Sequence, residues 1–207
     1  MHDLPLLAVV ASVWIYWSIV GAMSWRMRRR TRRLAGVVPQ QALERRLWLA
    51  WVPMVVLWMA LPMAALHAWG PPFAVPAWAR EGAYANLRGI GGVVAIVALV
   101  ATIECWKRMG RSWTMAVVPG ERTELVTTGL YRSIRHPIYA LSILLVAASA
   151  VVLPTWPMIA VALTNATLVN LKARNEERHL LATHGNAYAA YLAGTGRFLP
   201  RLFAPRS

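Results

Sequence analysis

Uncharged stretches long enough to cross a membrane dominate the chain. Residues 4–25 and 47–69 contain no charged side chain, and residues 89–106 contain a single one, Glu104, near their end. A helix needs about 20 apolar residues to cross a bilayer. The pattern therefore predicts three membrane-spanning helices in the first half of the chain.

A fourth uncharged stretch is broken in its middle by two prolines, Pro154 and Pro157. We predict a helical hairpin with arms Ile138–Leu153 and Met158–Leu171. At 1.5 Å per residue the arms would be about 24 and 21 Å long, shorter than the apolar core of about 30 Å. One arm must therefore continue beyond the membrane, or the hairpin must stop short of the far side.

The second arm is the one expected to continue. Residues 158–184 contain neither proline nor glycine, and Gly185 is a residue type that favours helix ends. The pattern predicts an all-α integral membrane protein with about five spanning helices. Residues 1–106 would hold three of them and a basic loop, and residues 107–207 would hold the hairpin, a cytoplasmic C-terminal segment and any catalytic region.

Composition supports a membrane protein and excludes several other classes. The 207 residues are 58% hydrophobic and 14% charged, whereas a soluble domain has about 45–50% apolar and about 25% charged residues. The single cysteine, Cys105, excludes a disulfide framework and a cysteine-based metal site. We predict no metal site.

The net charge of +14 invites a nucleic-acid interpretation, but the hydropathy makes lipid the expected partner. Of the 22 Lys and Arg residues, only Arg80 and Arg88 lie in the connection 70–88. The positive-inside rule then places the N-terminus outside and the two longest polar segments, 107–137 and 172–207, in the cytoplasm. We expect a bacterial inner-membrane location and no nucleic-acid partner.

One polar segment, residues 129–139, delivers two arginines, a histidine and two tyrosines to the mouth of the hairpin. Pro137 disfavours the α conformation for His136 and suits the first position of a helix. His136 should therefore cap a helix whose first N–H groups, at Ile138 and Tyr139, can attract a carboxylate or phosphate. The alternative interpretation is a basic pair beside lipid headgroups.

A polar stripe is predicted on the fifth helix, because four residues lie within about 60° of one another at 100° per residue. They are Asn165, Lys172, Glu176 and His179. An asparagine inside the apolar stretch suggests a face turned towards a wet cavity. The alternative is an exposed i,i+4 salt bridge between Lys172 and Glu176.

The order of these motifs resembles the isoprenylcysteine carboxyl methyltransferase family of integral-membrane methyltransferases, with phospholipid N-methyltransferases as more distant relatives. The resemblance covers about a third of the chain. It is carried by Leu125-Val-Thr-Thr-Gly-Leu-Tyr131, Arg135-His-Pro-Ile-Tyr139, the hairpin, Glu176-Glu177, Gly185, Tyr188, Tyr191 and Phe198-Leu-Pro200.

The resemblance implies a cofactor, S-adenosylmethionine, and a set of residues that hold it. The cofactor-binding residues that it implies are Thr123, Glu124, Leu125, Val126, Tyr131, His136, Pro137, Ile138, Tyr139 and Glu176. We assign catalytic roles to Lys172, Arg135 and Glu176.

This chain departs from the family pattern at two positions. The family places an arginine four residues before the first glutamate to hold the substrate carboxylate, and here that position is Lys172, with Arg174 a second choice. A lysine lacks the planar fork of a guanidinium. Many relatives also carry a glycine where Leu141 stands, so the pocket is expected to be narrower.

The function implied is methyl transfer from S-adenosylmethionine to an apolar or lipidated acceptor associated with the membrane. A phospholipid or small-thiol methyltransferase of the same fold is the alternative within this class. Two alternatives lie outside it: a non-catalytic transporter or scaffold, because the polar stripe could line a pathway, and a reductase that uses a nicotinamide cofactor. The sequence predicts neither the acceptor atom nor the oligomeric state.

Overall fold

The computed structural model describes residues 3–31, 42–67, 69–110, 113–115 and 125–201. The fold is all-α in these residues, as predicted. Short 3₁₀ turns lie at Ala77–Arg80 and Gly129–Arg132. The six α-helices of the described residues are α1 Leu4–Thr31, α2 Ala42–Leu66, α3 Gly82–Met109, α4 Pro137–Val152, α5 Trp156–His184 and α6 Asn186–Gly194.

Three of the described helices, α1, α2 and α3, are long and apolar enough to cross a membrane. The chain therefore has the helices of an integral membrane protein. The helix α4 is apolar but has only 16 residues. The apolar part of α5 is equally short. The structure therefore supports three of the five predicted spans, and the other two helices form a hairpin whose apolar arms are shorter than a full span.

The outer and inner faces of α3 have opposite characters. Its outward positions are large and exposed, and include Ile90, Val93, Val97 and Val100. Its inward positions are small and buried, and include Gly91, Gly92, Ala95 and Ala98. A helix surrounded by lipid gains from small residues at its helix contacts, because they let neighbouring backbones approach closely.

Two glycines of α3, Gly91 and Gly92, pack closely against neighbouring helices. A Cβ atom on Gly91 would lie 2.9 Å from Cγ2 of Val152 in α4, and one on Gly92 would lie 3.1 Å from Cα of Pro5 in α1. No described atom lies within 4 Å of such a Cβ on Gly89. The two glycines thus fix how α3 packs against α1 and α4.

The helix α3 begins at Gly82, two turns before the uncharged stretch that starts at residue 89. It therefore includes Arg88, which is buried. Its Nε donates to the carbonyl oxygen of Val152 at 2.8 Å, and its Nη2 lies 2.6 Å from Oδ2 of Asp3. A charge inside an apolar helix is tolerated where it is paired in this way. The sequence placed Arg88 in the connection before the helix, because a charged residue ended the apolar stretch. Its partners are distant in the chain and could not be recognised from the sequence.

The hairpin agrees with the prediction, and α5 continues past its apolar half to end at Gly185, where φ is +53°. Only glycine adopts that backbone region without strain. The helix α6 then runs from Asn186 to Gly194 and was not predicted separately. It carries the chain back towards the start of α4, where the candidate site lies.

Candidate active site

A cavity of about 110 Å³ lies where α1, α2 and α3 face the start of α4 and the middle of α5. Aromatic side chains make up much of its wall, and a histidine, an arginine, a lysine and a glutamate make up the rest. The described residues that line it are Tyr16, Trp17, Val20, Trp51, Trp106, Met109, Trp113, Thr114, Met115, Tyr131, Arg135, His136, Pro137, Ile138, Tyr139, Lys172 and Glu176.

The start of α4 has the predicted geometry. His136 is the N-cap residue and Pro137 occupies the first turn. The first N–H groups of a helix have no carbonyl partner within the helix, and here they belong to Ile138 and Tyr139 in the cavity wall. The cavity therefore contains the positive end of a helix dipole.

The structure brings His136 and Glu176 together across this cavity. Oη of Tyr139 donates to Oε2 of Glu176 at 2.9 Å, and Nδ1 of His136 lies 3.8 Å from the same oxygen. The rings of His136 and Tyr139 stack with a centroid separation of 5.3 Å and an interplanar angle of 5°. One carboxylate of α5 is thus held against the imidazole and phenol at the start of α4.

Lys172, rather than Arg174, lies in the cavity wall. Its Nζ donates to the carbonyl oxygen of Met115 at 2.5 Å, and it lies 6.0 Å and 5.8 Å from the ring centroids of Trp51 and Tyr139. Arg174 is exposed and is not among the described lining residues. Of the two candidates for the family's arginine position, only Lys172 can act at this cavity.

Arg135, to which the prediction gave a catalytic role, makes contacts with α5 and the chain after α6. It lines the cavity, but its Nε donates to Oε1 of Glu177 at 2.9 Å, and its Nη1 donates to the carbonyl oxygens of Leu192 and Thr195. These contacts tie the start of α4 to α5 and α6. We therefore treat Arg135 as a positioning residue.

Only part of the predicted polar stripe of α5 reaches the cavity. Lys172 and Glu176 line it, whereas His179 is half-buried and is not among the described lining residues. Asn165 is 1% exposed, and its Nδ2 has no hydrogen-bond partner among the described residues. The polar face of α5 that the stripe predicts therefore reaches the cavity only over the turn from Lys172 to Glu176.

The predicted cofactor segment before α4 is described in part. Thr123 and Glu124 lie outside the described residues, and Leu125 and Val126 are half-buried without lining the cavity. Tyr131 does line it. Burial, together with the Cys105 thiol and the Glu176 carboxylate, raises the pKa of the Tyr131 hydroxyl well above its usual value. This hydroxyl therefore stays protonated and can donate.

The sequence interpretation missed the aromatic wall opposite α4 and α5. Ring centroids lie 4.9 Å apart for Tyr16 and Trp106, and 5.3 Å apart for Trp17 and Trp51. Tryptophans are common at membrane interfaces, and composition offers no way to select those that face inward. One spacing in the sequence could have indicated this wall: Tyr16 and Val20 are one turn apart and therefore share a face of α1.

The donors and acceptors of the cavity suit a zwitterion attached to a flat, apolar ring system. Free N–H groups at the start of α4 suit a carboxylate, and the Glu176 carboxylate suits an ammonium or hydroxyl groups. The Tyr131 hydroxyl and Nε1 of Trp106 are buried and have no partner among the described residues. Aromatic faces also attract a cation such as a sulfonium. S-Adenosylmethionine combines all of these groups.

Two comparisons with known proteins bear on this site. The chain is 33% identical over 101 residues to the nickel-cobalt-cadmium resistance protein NccN of Alcaligenes xylosoxydans xylosoxydans, a match that covers 48% of this chain and 47% of NccN. The chain thus spans about half the length of this curated relative. Residues 91–182 match the model of the isoprenylcysteine carboxyl methyltransferase family.

The matched residues contain the hairpin and the whole α4 and α5 wall of the cavity. The predicted resemblance is therefore confirmed over residues 91–182, which are similar to the isoprenylcysteine carboxyl methyltransferase family.

Proposed function

We propose that the protein is a membrane methyltransferase that uses S-adenosylmethionine and methylates an apolar acceptor. The observation that carries the proposal is the convergence of His136, Tyr139 and Glu176 on one aromatic cavity. A matching family model supports it, because members of that family use this cofactor. The polar residues that converge are also the ones that the resemblance implies.

Each end of the cofactor has a partner in this chain. The N–H groups of Ile138 and Tyr139 would bind its carboxylate, and Glu176 would bind its ammonium or its ribose hydroxyls. Tyr131 and Trp106 offer donors to the remaining acceptor atoms. When bound, the cofactor supplies a methyl group that its own sulfonium already activates.

The protein's remaining task is to align an acceptor with that methyl group and to keep water away. Alignment of two reactants in one site can contribute several kcal/mol to the lowering of the barrier. The aromatic wall formed by Trp17, Trp51 and Trp106 would exclude water and suits an apolar acceptor that arrives from the bilayer. Lys172 would orient the acceptor's polar end as a point charge.

The acceptor's proton determines whether a base is needed. A carboxylate or thiolate attacks through its own lone pair and needs no strong base, whereas a protonated amine must first lose a proton. With Glu176 bound to the cofactor, His136 and Tyr139 are the neighbouring groups that could accept such a proton. Methylation of a carboxylate or thiolate therefore needs no general base in this site, whereas methylation of a protonated amine needs one.

Calorimetry with S-adenosylhomocysteine tests the proposed function. We expect the purified protein in detergent to bind it, and we expect Glu176→Ala to weaken binding by about tenfold to a hundredfold, as for a lost hydrogen bond to a charged group. Glu104→Gln is the matched control, since Glu104 pairs with Lys107 in an exposed i,i+3 contact. Absence of binding to the wild type at millimolar ligand would rule the proposal out.

A transporter is the second candidate, and one observation favours it. The relative NccN is named as a nickel, cobalt and cadmium resistance protein, and the polar turn of α5 could line a pathway as well as a pocket. Uptake of these cations by proteoliposomes, measured for the wild type and Glu176→Ala, separates the two functions. Flux through the wild type, without S-adenosylhomocysteine binding, would favour transport, and a loss of flux in Glu176→Ala would place Glu176 on the pathway.

A further inference from the structure

The chain that follows α6 folds back onto the segment that precedes α4. Gly196 and Ile134 form a parallel bridge. The N–H of Gly196 donates to the carbonyl oxygen of Ser133 at 3.1 Å, and the N–H of Arg135 donates to that of Gly196 at 2.8 Å. The N–H of His136 donates to the carbonyl oxygen of Arg197 at 3.1 Å. We call residues Thr195–Phe198 the strap.

A buried carboxylate joins the strap to α5. Nη2 of Arg197 lies 2.6 Å from Oε2 of Glu177, whose side chain is 9% exposed. The same Arg197 donates through Nη1 to Oδ1 of Asn170 at 3.2 Å. The strap is therefore held to α5 by an ion pair and to the start of α4 by backbone hydrogen bonds.

Glu177 also reaches the other side of the site. Its Oε1 accepts from Nε of Arg135 at 2.9 Å and lies 3.4 Å from Nε2 of His136. Burial alone would raise the pKa of Glu177, but the adjacent His136 ring and the hydrogen bonds from Arg197 and Arg135 outweigh it and hold the pKa well below its usual value. One ionised carboxylate is thus shared by two guanidinium groups and an imidazole.

Neither the strap nor Glu177 is among the described residues that line the cavity. Both act instead on His136, the strap through its backbone N–H and Glu177 through its ring. The opposite edge of that ring faces Glu176 in the cavity at 3.8 Å. A displacement of the strap would therefore change the cofactor end of the cavity without removing any group that touches a ligand.

We propose that the strap Thr195–Phe198, joined through Glu177, is a positioning element that fixes His136 and the start of α4 for cofactor binding. This rests on the proposed function, because the ligand is the cofactor named there. It assigns a role to Glu177, which the reaction itself leaves unused. Cofactor affinity should depend on the strap, whereas acceptor affinity and the maximal rate should not.

Gly196→Ala tests the strap, with Gly194→Ala as a matched control. A Cβ on Gly196 would lie 1.8 Å from the carbonyl oxygen of Leu199, so the backbone of the strap must move, whereas no described atom lies within 4 Å of a Cβ on Gly194. We expect Gly196→Ala to raise the dissociation constant for S-adenosylhomocysteine about tenfold, as when a supporting partner of a binding group is lost. Gly194→Ala should leave it unchanged.

A purely structural role would have a different signature. It would lower the melting temperature of Gly196→Ala while the folded fraction kept the wild-type affinity and the wild-type KM for the cofactor, and that result would overturn the proposal. If Gly196→Ala does not fold, Arg197→Gln removes the ion pair with less disturbance, because its side chain is 30% exposed. We then expect the same rise in the dissociation constant for S-adenosylhomocysteine. An unchanged dissociation constant in Arg197→Gln would also overturn the proposal.

Hydrogen exchange separates this proposal from the proposed function. The amides of Arg135 and His136 donate to the strap and should be protected in the wild type and in Gly194→Ala, but not in Gly196→Ala. This readout needs no ligand, so it remains valid if the wild type binds no S-adenosylhomocysteine. Equal protection in all three proteins would refute the positioning role.

Discussion

His136 is the residue on which the site depends most, because it joins three parts of the chain. Its backbone caps α4 and donates to the strap, and its ring lies between the carboxylates of Glu176 and Glu177. Alanine at this position would lack the ring that contacts both carboxylates. His136→Ala should therefore prevent methyl transfer while the protein still inserts into the membrane.

Tyr139→Phe isolates a single hydrogen bond of the site. The variant keeps the ring that stacks on His136 and loses the hydroxyl that donates to Glu176. We expect cofactor affinity to fall about tenfold, since bonds to charged groups contribute about 1.5–3 kcal/mol. Titration calorimetry measures it, and Tyr84→Phe is the control because Tyr84 packs against Trp78 outside the cavity. Equal affinities of Tyr139→Phe and the wild type would contradict this role.

The lowered pKa of Glu177 predicts a pH dependence of stability. Its folded pKa lies below the unfolded value of about 4.3, so its stabilisation is complete above that value and is lost as pH falls towards the folded pKa. The melting temperature of the wild type should exceed that of Glu177→Gln by a constant margin from pH 8 to about pH 5. The margin should narrow only below about pH 4, and narrowing near neutral pH would disprove the assignment.

At the scale of the helices, the small residues of α3 predict a matched pair of variants. In Gly92→Ala the new Cβ would lie 3.1 Å from Cα of Pro5, a backbone atom of α1 that cannot give way alone. We expect its melting temperature in detergent to fall by about 2–4 °C, the change for about 1 kcal/mol in a chain of this size. Gly89→Ala should be neutral or stabilising because alanine favours helices. A fall of the same size in both variants would refute the packing explanation.

The ends of the helices were predictable where one residue decides the local backbone. Pro137 and Gly185 fixed the start of α4 and the end of α5, because each acts through its own φ angle. The start of α3 was not predictable. Arg88 is neutralised by Asp3 and Val152, and no local pattern shows that such distant partners meet.

The same distinction applies to the site. Its polar residues could be proposed from the sequence because motif order and helical spacing placed His136 and Glu176 on facing elements. Trp17, Trp51 and Trp106 could not, since an inward tryptophan and a lipid-facing one look alike in a helix that is apolar on all sides. The roles of Arg135 and Glu177 depend on where the strap folds back, which only the structure provides.

For the whole molecule, the distribution of charge predicts an orientation. Only Arg80 and Arg88 of the 22 basic residues lie in 70–88, so this connection should face outward and the C-terminus inward. Alkaline phosphatase needs an oxidising compartment for its disulfides. We therefore expect it to be active when inserted after Gly70 and inactive after Arg201. The reverse pattern would place the cavity on the opposite side of the membrane.

Transfer of a radiolabelled methyl group from S-adenosylmethionine tests the central claim most directly. Membranes that contain the purified protein are supplied with the cofactor, and label is counted in the lipid, protein and small-molecule fractions. We predict label in a fraction with the wild type and Glu104→Gln, and none with Glu176→Ala or His136→Ala. Label that persists in Glu176→Ala would show that the cavity between α4 and α5 is not the catalytic site.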